Sequence, residues 1–337
     1  MTAAREDRCL RFLAEAGWGE AERRVLTADA SFRRYDRLNR GGESAVLMDA
    51  PPPEKNVSVF GHVAGLLRGL DLSAPRPLAM DRDAGFLLLE DFGDRTFTRA
   101  LRDGADEAGL YRLAVDTLIA LHRRWPAAER AGVPDYDGAL LMEEVTRFID
   151  WYLPAVTGRE APAPLRESFE RAWRDAIPIM MAVPHSLVLR DYHVDNLMDL
   201  EGREGVARCG LLDFQDAVFG PVTYDLVSLL EDARRDVSPD LAAEMLARYR
   251  AAFKDLDGQV FAASYAALGA QRNTKIIGNF TRLCRRDGKP HYLPLIPRVW
   301  RLLEGDLAHP ALAPLRDWFE RALPPEMRSV PEERAAS

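Results

Sequence analysis

Leu187-Val-Leu-Arg-Asp-Tyr-His-Val-Asp-Asn-Leu-Met198 is the stretch that decides the fold, together with Gly210-Leu-Leu-Asp-Phe-Gln-Asp216 further along the chain. In the first stretch an apolar run delivers Asp191, and Asn196 follows five residues later. In the second, another apolar run delivers Asp213, seventeen residues after Asn196. An acid, then an amide, then an acid at the end of a short strand is the layout that phosphoryl-transfer sites use.

The chemistry explains why these residue types recur at this spacing. Asp191 is the candidate base, because a carboxylate there can orient an attacking hydroxyl and accept its proton. Asn196 and Asp213 are the candidate Mg²⁺ ligands, because magnesium prefers hard oxygen donors and needs few from the protein when phosphate oxygens supply others. Arg190 is expected to offset the local negative charge. Asp225, near the start of a buried helix, is expected to accept backbone N–H bonds from the loop and fix it.

Composition bounds the class of protein. The chain has 337 residues, of which 47% are hydrophobic and 29% charged, and its net charge is −8. This balance indicates a globular protein and argues against a general nucleic-acid binder. The three cysteines suit neither a disulfide framework nor a zinc site. We find neither a signal core nor a run of the roughly twenty apolar residues that a membrane span needs. A cytoplasmic protein is expected, with no membrane association, and no protein partner is evident.

The first part of the chain has the pattern of a small antiparallel sheet. Strand-like segments lie at 25–27, 32–38 and 44–48, with Gly41-Gly42 as the hairpin signal between the last two. A helix is predicted over 56–70 and a buried strand over 85–91. Beyond it the pattern turns helical, with helices predicted at 106–124, 139–153, 165–182, 223–235, 240–254, 260–285 and 295–305.

The predicted fold is therefore α+β and protein-kinase-like, with two lobes. Residues 1–91 would form the small antiparallel-sheet N-terminal lobe that binds the nucleotide. Residues 92–326 would form the larger helical C-terminal lobe with the catalytic and substrate-binding residues. The polar, proline-bearing segment 327–337 is predicted to be a flexible tail.

The chain resembles the aminoglycoside phosphotransferase-like branch of the kinase superfamily, and within it the bacterial anomeric kinases of N-acetylmuramate and N-acetylglucosamine. The segments that carry the resemblance are Ser31-Phe-Arg-Arg-Tyr35, Met48-Asp-Ala-Pro-Pro52, Phe86-Leu-Leu-Leu-Glu-Asp91, Leu189-Arg-Asp-Tyr-His-Val-Asp-Asn196, Leu212-Asp-Phe-Gln-Asp216 and Gln271-Arg-Asn-Thr-Lys-Ile-Ile-Gly278. The resemblance implies ATP and Mg²⁺ as cofactors and phosphorylation of a sugar C1 hydroxyl in cell-wall sugar salvage. It also implies that Glu90, Asp91 and Phe92 form the hinge whose backbone meets adenine.

The chain departs from the kinase pattern where the phosphates are held. The third strand, Ala45-Val-Leu-Met-Asp49, lacks the usual lysine, residues 20–40 contain no glycine, and Leu189 replaces the usual His. The phosphate charge still needs a counter-charge. Arg33 or Arg34, next to Ser31 and Phe32, is the candidate, and only one of the two can face the nucleotide because strand side chains alternate. The pattern does not choose between them.

The acceptor site is predicted on the later helices. Arg272 and Lys275 lie three residues apart, hence on one helix face, and that face is basic. A basic face suits a neutral or anionic sugar and would repel a polycationic aminoglycoside. His193, Glu144 and Trp151 are further candidates for contact with the sugar, although packing inside the protein is the commoner fate of a tryptophan.

Two alternatives stay open. One is another small-molecule kinase of the same fold, acting on an aminoglycoside or an amino alcohol. The other is a nucleotide-binding pseudokinase without turnover, favoured by the missing lysine and opposed by the intact Asp191, Asn196 and Asp213.

Overall fold

The computed structural model describes residues 3–26, 33–51, 57–126 and 130–333. Its helices are α1 Ala3–Glu15, α2 Val57–Gly69, α3 Phe97–Arg102, α4 Glu107–Arg124, α5 Gly138–Arg147, α6 Leu153–Thr157, α7 Ala163–Met180, α8 Tyr224–Leu230, α9 Pro239–Ala252, α10 Gly258–Asp287, α11 Ile296–Leu307 and α12 Ala313–Ala322. Its strands are β1 Glu22–Leu26, β2 Arg34–Arg40, β3 Glu43–Asp49, β4 Pro77–Asp81, β5 Phe86–Glu90, β6 His185–Val188, β7 Leu197–Asp199, β8 Cys209–Leu211 and β9 Val218–Pro221.

The chain forms two compact units. The first comprises Met1–Arg124 with Val194–Ala217, and the second comprises Trp125–His193 with Val218–Ser337. These bounds differ from the predicted division at residue 91. The hairpin of β7 and β8 packs with the first unit because Gly210 bridges to Ser73 and Met198 bridges to Thr96. The lobe division at residue 91 stays a prediction drawn from the sequence pattern.

A five-stranded antiparallel sheet, in the order β1-β2-β3-β5-β4, forms the first unit's framework. The turn from β2 to β3 is made by Gly41 and Gly42, with φ of 55° and 89°. A two-residue turn with positive φ at both positions has the twist that a hairpin needs, and glycine adopts it without strain. The sequence pattern missed β4, because Pro77 opens that strand. Proline is tolerated there since β4 lies at the edge of the sheet.

The two faces of this sheet are distinguished by what covers them. On one face, Cys9, Phe12 and Leu13 of α1 pack with Leu47 and other apolar residues of the sheet. Side chains alternate along a strand, so Leu38 and Asp36 of β2 share this face, and Tyr35 and Arg37 lie on the other. This assignment decides where Arg33 and Arg34 point.

The second unit is built around α10, a 30-residue helix that is buried along much of its length. It packs against α5, α7, α8 and α11. An aromatic cluster fills the core beside it, with Phe148 edge-on to Trp300 and Phe319 at 5.8 and 5.6 Å between ring centres. The helix predicted over 139–153 is interrupted, because Phe148–Tyr152 forms a π-helical turn between α5 and α6.

Two further differences concern where predicted segments end. The helix predicted over 223–235 ends at Leu230, since Glu231 leaves helical geometry at φ −119° and ψ 53°. The predicted flexible tail is anchored at its start: the Tyr152 hydroxyl donates to the Ser329 carbonyl at 2.8 Å, and Arg328 lies 5.0 Å above the Trp300 ring. Residues 334–337 lie outside the described residues. Within the described ranges, no helix is long and apolar enough to cross a membrane.

Candidate active site

The loop that follows β6 is held in an unusual backbone conformation. Arg190 has φ of 70°, and the Asp191 N–H donates to the Leu189 carbonyl at 2.9 Å. Non-glycine residues keep a left-handed conformation only where the surrounding structure imposes it. Here α8 imposes it: the Asp225 carboxylate accepts the Leu189 N–H at 2.6 Å and the Arg190 N–H at 2.9 Å. Ser228, one turn further along α8, donates to the Arg190 carbonyl at 3.1 Å.

As a result, the start of the loop is buried and its tip is exposed. Leu189 is 4% exposed, whereas Asp191 is exposed. Asp225 is buried, and burial raises its pKa to about 7, while the two backbone N–H groups act in the opposite direction. The side chain that fixes the loop is thus itself close to its protonation midpoint near neutral pH.

A second carboxylate supports the same loop through the side chain of Arg190. Glu144 of α5 is fully buried and forms ion pairs with Arg190 and with Lys275, the latter at 3.0 Å. It also accepts hydrogen bonds from the Tyr136 hydroxyl at 2.6 Å and the Gln271 amide at 3.0 Å. Burial by itself would raise the pKa of Glu144, but the two cations and the two hydrogen bonds lower it to about 2. Glu144 is therefore an anion whose partners are protein groups.

This arrangement bears on the acceptor residues predicted from the sequence. Lys275 is engaged by Glu144 and by the Tyr224 hydroxyl at 2.8 Å. Arg272 is 4% exposed and donates to the Glu231 carbonyl at 3.3 Å. The two cations of the predicted basic acceptor face, Arg272 and Lys275, thus bind groups inside the second unit. Because Glu144 balances the charge of Lys275, this face would repel a polycation less than the sequence pattern suggests. Trp151 lies half-buried in the π-helical turn. Sugar contacts by Glu144, Trp151, Arg272 and Lys275 remain predictions.

His193 lies buried near the end of the same loop and is 6% exposed. Burial lowers its pKa; the nearby Arg234 and Arg272 add to this effect, and Asp232 and Asp191 oppose it. A neutral imidazole follows at physiological pH. His193 therefore shares its surroundings with Asp191 and with a charged segment, 231–235, that the sequence pattern assigned to a helix.

The candidate magnesium ligands lie together in the first unit. Leu197 of β7 pairs with Leu211 of β8, and the Leu212 N–H donates to the Asn196 carbonyl at 2.9 Å. This register sets Asn196 opposite the residue that precedes Asp213. Asp213 itself has φ of 55° and accepts from the Gln215 amide at 2.9 Å. Asn196 and Asp213 offer amide and carboxylate oxygens, and the Asp213 side chain is 44% exposed, so the donor set fits a magnesium ion.

Arg33 faces these acidic residues and Arg34 does not. The guanidinium of Arg33 lies 3.6 Å from Asp213 and 3.8 Å from Asp216, and its side chain is 7% exposed. Arg33 also shares a hydrogen bond with Tyr35, whose pKa burial raises to about 12 against the effect of Arg33. Arg34 points to the other face of the sheet and pairs with Asp36 at 3.2 Å. Ser31 and Phe32, which the sequence also assigns to nucleotide binding, lie outside the described residues.

The predicted hinge residues are engaged by side chains of the first unit. Glu90 pairs with Arg203 at 2.6 Å, and Asp91 pairs with Arg37 at 2.7 Å. Arg203 also lies 5.0 Å above the Phe92 ring. These contacts fix the segment but do not test the prediction that its backbone meets adenine.

Sequence reasoning passed over several polar residues that the structure places beside the predicted ones. Asp216 and Tyr35 flank Arg33, and Asp232 lies near His193. Asp216 stands inside the second quoted motif, and Tyr35 is two residues from Arg33 on an alternating strand, so both carried a usable signal. No sequence signal marked Asp232, because the apolar pattern predicted one continuous helix over 223–235.

The fold is that of a kinase-like phosphotransferase. Residues 22–260 match the family model described as "Phosphotransferase enzyme family", and the chain belongs to that family. The predicted α+β, kinase-like class and the family resemblance are confirmed.

The relatives include named amino-sugar kinases. An N-acetylmuramate/N-acetylglucosamine kinase of Caulobacter vibrioides is 39% identical over 97% of this chain and 99% of that protein. One from Pseudomonas aeruginosa is 42% identical over 92% of each chain. Among solved structures, the GDP complex of aminoglycoside 2'-phosphotransferase-IIIa matches with a TM-score of 0.60 at 16% identity, covering 90% of this chain and 98% of that one. Choline kinase LicA from Streptococcus pneumoniae matches with a TM-score of 0.61 at 11% identity, covering 91% of this chain and 100% of that one.

Proposed function

We propose that this protein is an ATP-dependent kinase that phosphorylates the anomeric C1 hydroxyl of N-acetylmuramate and N-acetylglucosamine, a step that returns cell-wall sugars to use. The observation that carries the proposal is the braced loop that exposes Asp191, in a chain whose relatives with this activity in their names match over nearly the full length. The phosphotransferase family supplies the reaction class, and the named relatives supply the acceptor.

Asp191 is the proposed base. The C1 hydroxyl oxygen of the sugar forms a bond to the γ-phosphorus of ATP, the bond from that phosphorus to the ADP oxygen breaks, and the hydroxyl proton passes to the Asp191 carboxylate. The residue acts mainly by positioning the hydroxyl, because proton transfer comes late in such reactions. Its backbone depends on Asp225 and Ser228, and Glu144 holds the neighbouring Arg190 side chain.

The nucleotide is proposed to bind to residues of the first unit. Arg33 is the proposed counter-charge to the phosphates, supported by Tyr35, in place of the missing lysine of β3. Ser31, Phe32 and the hinge backbone of Glu90, Asp91 and Phe92 complete the proposed nucleotide contacts. When bound, Mg²⁺ would be held by Asn196 and Asp213 and would neutralise phosphate charge.

The test is an acceptor screen that follows both ADP release and the product. N-Acetylmuramate, N-acetylglucosamine, kanamycin and choline are compared, and phosphorus NMR identifies a phosphate at C1. The amino sugars should give ADP and a sugar 1-phosphate. Phosphorylation of kanamycin or choline alone would identify a different small-molecule kinase, and ATP binding without turnover on any acceptor would identify a pseudokinase.

The role of Asp191 is tested in the same assay. Asp191→Asn should lower kcat by roughly 100-fold or more, as expected when a general base is lost, with little change in ATP affinity. Asp240→Asn is the matched control, since Asp240 is an exposed residue in the first turn of α9. Equal turnover by the two variants would contradict the assignment.

A further inference from the structure

Asp232 is a buried carboxylate whose hydrogen-bonding capacity is only half used. Asp232 is 1% exposed, and its Oδ1 accepts a hydrogen bond from the Arg234 backbone N–H at 2.8 Å. Within the ranges that the structure describes, Oδ2 is buried and has no hydrogen-bond partner. A charged group that is removed from water without a partner costs free energy, so such a group is rarely kept for stability alone.

The position of Asp232 relates it to the catalytic loop. Asp225 and Ser228 lie three residues apart on one face of α8, and Asp232 follows two residues after that helix ends at Leu230. The first two hold the backbone of Leu189 and Arg190. Asp232 lies close enough to His193 to oppose the lowering of the pKa of that imidazole, as Asp191 also does. Asp232 thus lies near a residue of the catalytic loop that is two positions from the candidate base.

Cations near Asp232 have hydrogen-bond partners elsewhere. The charge of Asp232 contributes to raising the pKa of Arg298 of α11. The Arg298 guanidinium, however, donates its hydrogen bonds to Asp236 at 2.7 and 2.8 Å and to the Ala233 carbonyl at 3.3 Å. Arg272 donates to the Glu231 carbonyl at 3.3 Å. The charge of Asp232 is therefore partly balanced, while the hydrogen-bonding capacity of Oδ2 remains available to a ligand.

The turn that presents Asp232 is firmly held. The preceding residue, Glu231, accepts the Asn273 amide at 2.8 Å through its side chain, and the same amide lies 2.9 Å from Asp306. Arg272 binds the Glu231 carbonyl from the same helix, α10. Because these contacts fix the backbone at Glu231, the direction of the next side chain is set before any ligand binds, which is the condition for a selective contact.

We propose that Asp232 is a specificity-determining residue of the acceptor site, where Oδ2 accepts a hydrogen bond from a hydroxyl or amide N–H of the sugar. The proposal rests on the amino-sugar kinase activity proposed above. A site with a buried hydrogen-bonding group rejects analogues that lack the matching donor, because the group is then left unpaired. Asp232 thereby adds to the acceptor site a contact that selects for the pattern of donors around the ring.

The experiment compares Asp232→Asn with Asp236→Asn, an exposed aspartate on the same segment. Asparagine keeps an oxygen for the Arg234 N–H and replaces the carboxylate Oδ2 by an amide NH₂, which cannot accept a hydrogen bond. Asp232→Asn should raise the KM for the sugar by roughly 10- to 100-fold, the range for a hydrogen bond to a charged group. Its KM for ATP should stay within about twofold, and its Tm should equal or exceed that of the wild type, because a buried charge is removed. Asp236→Asn should leave both KM values within about twofold, since exposed charge pairs contribute little.

Monodeoxy analogues of the amino sugar then identify the donor. In the wild type, one analogue should lose kcat/KM relative to the parent sugar; in Asp232→Asn that penalty should largely disappear for the same analogue. An unchanged sugar KM in Asp232→Asn, or a lower Tm with equal losses for sugar and ATP, would overturn the proposal while wild-type turnover upholds the kinase activity. A wild-type protein that phosphorylates neither amino sugar would overturn both.

Discussion

Arg33 and Arg34 are adjacent in the chain but serve different faces of the first unit's sheet. The guanidinium of Arg33 is buried near the carboxylates of Asp213 and Asp216, whereas the Arg34 side chain is 41% exposed and pairs with Asp36. The side-chain alternation that the sequence predicted left open which of the two faces the nucleotide. The packing of α1 against the Leu38 face puts Arg34 on the α1 side and Arg33 on the opposite face, which supports the nucleotide contact proposed for Arg33.

A matched pair of substitutions tests this difference. Arg33→Ala should raise the KM for ATP by roughly 10-fold or more, because a charge contact to phosphate is lost. Arg34→Ala removes a partly exposed cation on the opposite face of the sheet and leaves Asp36 its ion pair with Arg23, so that KM should change by less than about twofold. Isothermal titration with ADP and with a non-hydrolysable ATP analogue separates binding from turnover. Equal losses in the two variants would refute the role given to Arg33.

The raised pKa of Asp225 predicts a pH dependence of stability. Burial raises this pKa from 3.8 to about 7, so between these values the folded protein keeps a proton that the unfolded chain has released. The free energy of unfolding should therefore fall as pH rises from about 4 to 7, with a contribution approaching ~1.4 kcal/mol per pH unit. Urea unfolding of the wild type and of Asp225→Asn across this range isolates the effect. The two stability curves should diverge; parallel curves would show that Asp225 is ionised throughout.

The Glu144 network predicts the opposite sign at acidic pH. Its pKa is lowered from 4.5 to about 2, so its stabilising effect is present above pH 4.5 and is lost as pH falls towards 2. Glu144→Gln leaves Arg190 and Lys275 without their shared anion and should lower the free energy of unfolding at pH 7 by about 3–5 kcal/mol.

Glu143→Gln is the control for that change, since its side chain is 69% exposed and its ion pair with Arg147 is at the surface. We expect a change within about 0.5 kcal/mol for this variant. Chemical unfolding followed by fluorescence measures both variants. A loss at Glu144 no larger than that at Glu143 would mean that the buried network contributes nothing to stability.

A close contact between helices gives a prediction about packing. A Cβ placed on Gly278 of α10 would lie 2.4 Å from the carbonyl carbon of Arg147 and 2.5 Å from the nitrogen of Phe148. Both are backbone atoms, so Gly278→Ala should force the helices apart and cost about 1–3 kcal/mol. Gly65→Ala in α2, where a Cβ meets nothing within 4 Å, should instead raise stability by about 0.5–1 kcal/mol. Thermal unfolding of both variants distinguishes local packing from general helix propensity, and similar shifts in Tm would contradict the contact.

The sequence predicted the parts of this protein that depend on short-range pattern. The sheet, most helices and the loop around Asp191 follow from apolar periodicity and turn residues, which act over a few neighbours. The edge strand β4 was missed because its proline opens it, and α8 was extended because nothing local marks the turn at Glu231.

Side-chain partners distant in the chain were harder to predict. Glu144 and Lys275 are separated by 131 positions, and each alone looks like a polar residue on a helix face. Their pairing depends on how α5 and α10 pack, which periodicity does not specify. The neighbours of Asp232 were equally hard to predict, because they depend on where α8 ends and on the turn at Glu231.

The π-helical turn at Phe148–Tyr152 determines which mutations this helical segment can accept. A π turn holds one residue more than an α turn, so deletion of a single residue there would restore an uninterrupted α-helix. Everything after the deletion would rotate by about 100° about the helix axis relative to Glu144. The one extra residue of the π turn therefore sets the rotation of the aromatic core residues about the helix axis relative to Glu144, the carboxylate that pairs with Arg190. Along this helix, substitution should be far better tolerated than any change of length.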